Sequence, residues 1–129
     1  MEKVFEFLQN AGTFYLATVE GDQPRVRPYG AMMLFEGKIY IMAFGLTNAT
    51  RQIQANPKAE LCAFKGMTLR IECTLVEDNR PETQKALIEK MPVLKPALGE
   101  NGENGVMYYL SNATANFYKM MELVETIKF

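Results

Sequence analysis

The sequence contains no histidine and no tryptophan, and only two cysteines, Cys62 and Cys73. Without imidazole, Ser–His and Cys–His nucleophilic catalysis are excluded, as are zinc sites that need a histidine ligand. Two cysteines build neither a four-cysteine metal site nor a secreted disulfide framework, so no metal site is expected. An excess of either charge is missing too, because 14 basic residues face 15 acidic ones, a balance of −1. Such a chain has no basic face for non-specific nucleic-acid binding and no polybasic anchor for a membrane surface. No apolar run approaches the roughly eighteen residues that a spanning helix needs. The first ten residues, MEKVFEFLQN, interleave charge with apolar side chains, unlike a secretory signal. A cytoplasmic protein is expected, with neither nucleic acid nor membrane as partner. Its chemistry must come from carboxylates, lysine, tyrosine or a borrowed cofactor.

What the sequence does have is apolar mass. Hydrophobic residues supply 48% of its 129 positions, enough for one domain over residues 1–129 with its own core. Val4, Phe5 and Leu8 lie at helical spacing in residues 2–11, and Gly12 follows as a C-terminal cap. The segment 13–20 is rich in β-branched and aromatic residues and reads as a central strand. After the Gly21-Asp22 turn a second strand is expected over about 24–35. Glu36-Gly37 then makes a hairpin into KIYIMA, residues 38–43. Thr47 and Asn48 are good N-caps for a helix that Asn56-Pro57 ends. Residues 58–64 return to strand, and residues 67–76 alternate apolar with polar as a half-buried strand does.

Asp78 or Asn79 is expected to cap a further helix that starts near Pro81 and runs to about Met91. Its alternating charges read as a solvated cover. Residues 93–105, ending in GENGENG, read as a mobile polar surface loop, and VMYYL, NFYKMM and LVETIKF as closing strands. Short links between strands favour antiparallel pairing. Six or more such strands suit a mainly β, α+β domain, a small barrel with helices at its ends.

Two segments can carry chemistry. Arg25 and Arg27 stand two residues apart on a strand and share a face, while Pro28 demotes that strand to an edge or a bulge. Two guanidiniums on one edge either clamp an anion such as phosphate or make exposed rim salt bridges. The second segment is Thr47-Asn48-Ala49-Thr50-Arg51. A helix opening there presents free backbone N–H groups and a positive dipole end, with Arg51 one turn in. It is either an anion cradle or an ordinary N-cap. The hairpin brings both segments near one end of the sheet, where one phosphate can meet both. Cys62 and Cys73 read as buried structural thiols. No pair of carboxylates stands at a spacing that suggests acid–base work. Tyr108, Tyr109, Tyr118 and Phe117 read as core or interface, although a flat ring can stack there.

The ordered series FYLATVEGDQPRVRPYG, FEGKIYIMA, TNATRQIQANP, LRIE and ETIKF resembles the pyridoxamine 5′-phosphate oxidase-like family of FMN-binding split barrels. The resemblance covers nearly the whole chain, most strongly residues 13–76, and is nearest to the short stand-alone members. It implies a six-stranded antiparallel Greek-key split β-barrel with short flanking helices. It also implies a homodimer with FMN at the interface. By position, Arg27 matches an arginine that approaches FMN, with Arg25 beside it. Pro28, Tyr29 and Gly30 match backbone that lines the flavin ring. Met42 and Ala43 match the strand end beside the ribityl chain, and Thr47 and Asn48 the phosphate-binding helix start. Thr68 and Arg70 match a strand offered by the second subunit.

Many relatives carry lysine or arginine where this chain has Thr47-Asn48-Ala49. Phosphate therefore relies more on backbone N–H groups, on Arg25 or Arg27, and on Arg51. The late arginine and histidine that hold pyridoxamine phosphate in the longer oxidases have no counterpart, so oxidation of that substrate is not expected. The resemblance implies an FMN-dependent oxidoreductase that takes electrons from a donor such as NADH or NADPH and passes them to a small acceptor. Non-catalytic flavin storage and the use of a deazaflavin remain alternatives, while the absence of histidine disfavours haem.

Overall fold

Helix α1, Glu2–Ala11, places Val4 and Leu8 one turn apart on its inner face, and both are fully buried. Burying each contributes about 1.5–3 kcal/mol, which seats the helix across one end of the barrel. Gly12 ends α1 at a φ of 80°. The structure is a computed structural model that describes all 129 residues, Met1–Phe129.

Eight strands follow: β1 Phe14–Glu20, β2 Gln23–Tyr29, β3 Met32–Phe35, β4 Lys38–Phe44, β5 Lys58–Lys65, β6 Met67–Glu77, β7 Gly105–Lys119 and β8 Glu122–Lys128. The strand order is β2-β1-β5-β6-β7-β4-β3, with β8 also paired to β7, and every pairing is antiparallel. The architecture is a mainly antiparallel split barrel with short helices, as expected, but it has eight strands rather than six. The second expected strand breaks at Gly30-Ala31 into β2 and β3, and these lie at opposite ends of the strand order. Two of the expected closing strands fuse into the 15-residue β7. That strand pairs β4 through its first residues and β8 through its last, and the β6 register shifts near Asn112, whose φ is +48°.

The barrel core includes Leu16, Ile39, Ile41, Leu61, Leu69, Ile71 and Phe117. A second core lies outside the barrel, where Met33, Tyr40, Met42 and Met107 meet Ala86, Leu87 and Ile88 of helix α3, Pro81–Lys90. So α3 is a packed element rather than a solvated cover. Its N-cap is Arg80, not Asp78 or Asn79; the Asp78 carboxylate instead accepts from the Arg80 N–H at 3.2 Å. Pro92–Leu94 forms one 3₁₀ turn and α4 spans Lys95–Leu98. The GENGENG stretch is folded against α3 rather than free. Gly102 is buried at φ +72°, and a Cβ there would meet the Gln84 carbonyl at 2.9 Å, so only glycine fits. No helix is long and apolar enough to cross a membrane.

Candidate functional site

The site begins with strand alternation. Phe14, Leu16 and Thr18 face inward along β1. The register sets Leu16 opposite Arg27 and Thr18 opposite Arg25. Residues opposite each other in an antiparallel pair share a face, so both arginines project on the inner side of β2 while Val26, 68% exposed, points away. Helix α2, Asn48–Ala55, packs on that inner side through Ala49, Gln52 and Ile53. Its N-cap is Thr47, which forms a reciprocal capping box with Thr50. Thr47 thereby satisfies one of the four orphan donors of the first turn. The N–H groups of Asn48 and Ala49 keep no intrahelical acceptor.

These elements enclose an open cleft of about 540 Å³ that joins Arg25, Arg27, Tyr29, Thr47 and Asn48. The two arginines and the helix start thus meet at one place. Within it the arginines differ. Arg25 binds the Glu20 carboxylate at 2.8 Å with both side chains half exposed, the arrangement of a rim salt bridge. Arg27 has no carboxylate partner. Its Nη1 donates to the Leu16 carbonyl at 3.1 Å and to Thr18 Oγ1 at 2.7 Å, and its Nη2 donates to Gln52 Oε1 at 2.6 Å. Thr18 Oγ1 in turn donates to Gln52 Oε1 at 2.6 Å. Guanidinium carries five N–H donors, so two remain for a ligand. Of the charged residues lining the cleft, two are cations and one, Glu20, is an anion, which leaves one positive charge.

A second cleft, of about 430 Å³, adjoins the first across Tyr29 and is lined by Pro28, Gly30, Met42, Phe44, Met91 and Leu94 among others. Tyr29 packs edge-on against Phe14, with ring centroids 6.2 Å apart. Burial pushes its phenol above the usual range, opposed by the Arg27 charge. Beyond lies a third cleft, of about 590 Å³, which shares Gly12, Gly30 and Met91 with the second and adds Phe5, Met33 and Lys90. A Cβ on Gly30 would stand 3.2 Å from the Gly12 carbonyl, so this passage depends on a close backbone approach. A cationic cleft adjoining an apolar one suits a molecule with an anionic tail and a flat, weakly polar head.

Not every expected residue reaches these clefts. The Ala43 side chain is buried in the barrel core. Arg51 is exposed and donates to the Asn48 side chain, outside the cleft lining. Thr68 and Arg70 stand on β6, with β5 between them and β1, and Arg70 is held by Glu60 at 2.6 Å. Within one protomer they lie apart from the other candidates. Sequence reasoning missed Thr18 and Gln52, the seat of Arg27. The available signal was polarity at positions whose neighbours two residues or one turn away are buried.

The family described as pyridoxamine 5′-phosphate oxidase matches residues 1–97. The structure superimposes on that of a NimC/NimA family protein from Clostridium acetobutylicum with a TM-score of 0.93 and 34% identity, covering 100% of this chain and 92% of that one. General Stress Protein 26 from Bacillus anthracis gives a TM-score of 0.75 at 17% identity, covering 99% and 97%. A FAD-binding protein from Mesorhizobium loti gives 0.63 at 14% identity, covering 88% and 91%; these two likenesses establish the fold alone. No curated protein matches the chain.

Proposed function

The chain belongs to the pyridoxamine 5′-phosphate oxidase family, and from that premise we propose that it is a cytoplasmic, homodimeric, FMN-dependent oxidoreductase acting on a small acceptor. The observation that carries the reading is Arg27, a half-buried guanidinium with neutral partners only and two donors unspent, beside a helix N-terminus. That donor set fits a phosphate. The apolar cleft across Tyr29, walled by Met42, Phe44, Met91 and Leu94, fits a ring system. A FAD-binding protein of the same fold supports a flavin.

When bound, FMN supplies the redox chemistry. The chain supplies binding and orientation. Arg27 and the first turn of α2 hold the phosphate. Strand β2 ends the strand order, so one of its edges faces no strand and its outer backbone groups are free for the ring's polar edge. The third cleft, reached past Gly12, Gly30 and Met91, admits the acceptor. Thr68 and Arg70, remote within the protomer, serve the partner subunit's site in the proposed dimer.

The test is the visible spectrum of the purified chain after incubation with FMN, followed by NADH or NADPH under anaerobic conditions. Flavin bands that stay with the protein, bleach with reductant and return on adding an acceptor are expected. A colourless protein removes the flavin, and retained bands that no reductant bleaches make the chain a carrier instead of a reductase.

A further inference from the structure

A cation seated among neutral groups keeps its charge for a ligand, and the seat of Arg27 is built that way. Gln52 and Thr18 are 6% and 2% exposed, and both Arg27 nitrogens that bond them do so at 2.7 Å or less. Gln52 Oε1 also accepts from Thr18 Oγ1, and the orientation of the Gln52 amide is fixed by Arg27, since a guanidinium only donates and the atom facing it must be the oxygen. Its Nε2 therefore faces the other way and donates to no group of the chain, while Gln52 itself lines the cationic cleft. A glutamate at this position would span the same distances and neutralise the guanidinium. Arg25, two residues earlier, shows the contrast, because Glu20 already compensates it.

We infer that Gln52 and Thr18 are positioning residues that pre-orient Arg27 and hold it uncompensated, so that the cleft selects a ligand ending in a phosphate monoester dianion over the same ligand without it. The inference deepens the FMN reading and rests on it for the identity of the ligand. Gln52 contributes twice. Its carbonyl oxygen fixes Arg27 without cancelling its charge, and its amide nitrogen, unpaired within the chain, is a neutral donor on a residue that lines the same cleft. Thr18 relays between them, accepting from Arg27 and donating to Gln52.

The experiment compares FMN with riboflavin, which lacks the phosphate, by fluorescence titration of the full chain and of Gln52→Glu and Thr18→Val. For Gln52→Glu, FMN affinity is expected to fall about tenfold or more, the scale of one charge-assisted contact. Riboflavin affinity should stay within about twofold, and the thermal midpoint should be unchanged or higher. Thr18→Val, nearly isosteric, should lose FMN affinity by about threefold or more with the same selectivity. It carries the test should Gln52→Glu fail to fold. Equal losses for both flavins mean a merely structural role and overturn the inference, as does unchanged FMN affinity.

Inorganic phosphate separates this failure from that of the flavin reading. The Arg27 Nε–Hε resonance of the unaltered chain should shift saturably with phosphate, and that of Gln52→Glu should not, whether or not any flavin binds. A resonance that ignores phosphate in the unaltered chain overturns the seat.

Discussion

Replacing Arg27 with alanine perturbs the site at its centre, and its effects on affinity and on stability separate. The two guanidinium donors left free by Leu16, Thr18 and Gln52 allow one bidentate, charge-assisted contact to phosphate, which contributes about 1.5–3 kcal/mol. At 1.4 kcal/mol per factor of ten, FMN affinity should fall by about tenfold to a hundredfold. The cleft charge drops from one positive to none, since Arg25 and Glu20 cancel. Stability should fall less, because Thr18 and Gln52 keep their mutual hydrogen bond; a loss of about 1–2 kcal/mol is expected in urea unfolding. The assay titrates FMN and riboflavin in parallel and follows the quenching of flavin fluorescence. The substitution should spare riboflavin. Unchanged FMN affinity, or an equal loss for both flavins, refutes the assignment of Arg27 to the phosphate.

Other parts of the molecule make separate claims. The Tyr108 hydroxyl is buried without a hydrogen-bond partner, so Tyr108→Phe should stabilise the fold by about 1 kcal/mol in urea unfolding; destabilisation would reveal a partner for the hydroxyl. The Arg80 guanidinium, together with the Tyr40 hydroxyl at 2.7 Å, holds the Asp78 carboxyl well below the usual carboxylate range. A depressed folded pKa contributes stability above the unfolded value of about 3.9 and loses it as pH falls through the folded one. Unfolding midpoints measured down to about pH 2 should therefore show an acid limb that Asp78→Asn flattens. Burial pushes the Cys73 thiol up to about 12, so iodoacetamide at about pH 8 should modify it only on unfolding, read by mass spectrometry. Leu46 is 97% exposed with φ +58°. Leu46→Gly should relieve the left-handed strain and gain about 0.5–1 kcal/mol in thermal unfolding.

Local rules reached far into this chain where one residue type decides one geometry. Gly12 stops α1, Thr47 caps α2, Glu36-Gly37 turns β3 into β4, and the alternation of residues 67–76 builds β6. Rules of that kind do not reveal what packs on the outside. The charges of α3 suggested a solvated helix, but three consecutive residues, Ala86, Leu87 and Ile88, are buried in the second core. GENGENG looked mobile because glycine favours loops, whereas Gly102 is there because nothing larger fits beneath α3. The break at Gly30-Ala31 was hidden because both halves are good strands, and only the close approach of Gly12 to Gly30 marks it.

The site was legible to the same degree. Spacing along β2 put both arginines on one face, and the cap at Thr47 put a helix start beside them. Which arginine stays open for a ligand depends on Glu20, Thr18 and Gln52. Their approach is set by tertiary packing across residues 5 to 34 positions apart in the chain.

The most direct measurement is a crystal structure of the chain grown with FMN. The phosphate oxygens should lie within hydrogen-bond distance of the Arg27 guanidinium and of the Asn48 and Ala49 N–H groups, with the ring against Tyr29 and Met42 of the same protomer. A phosphate bound elsewhere, for instance at Arg70 with the Arg27 cleft holding only water, would contradict it.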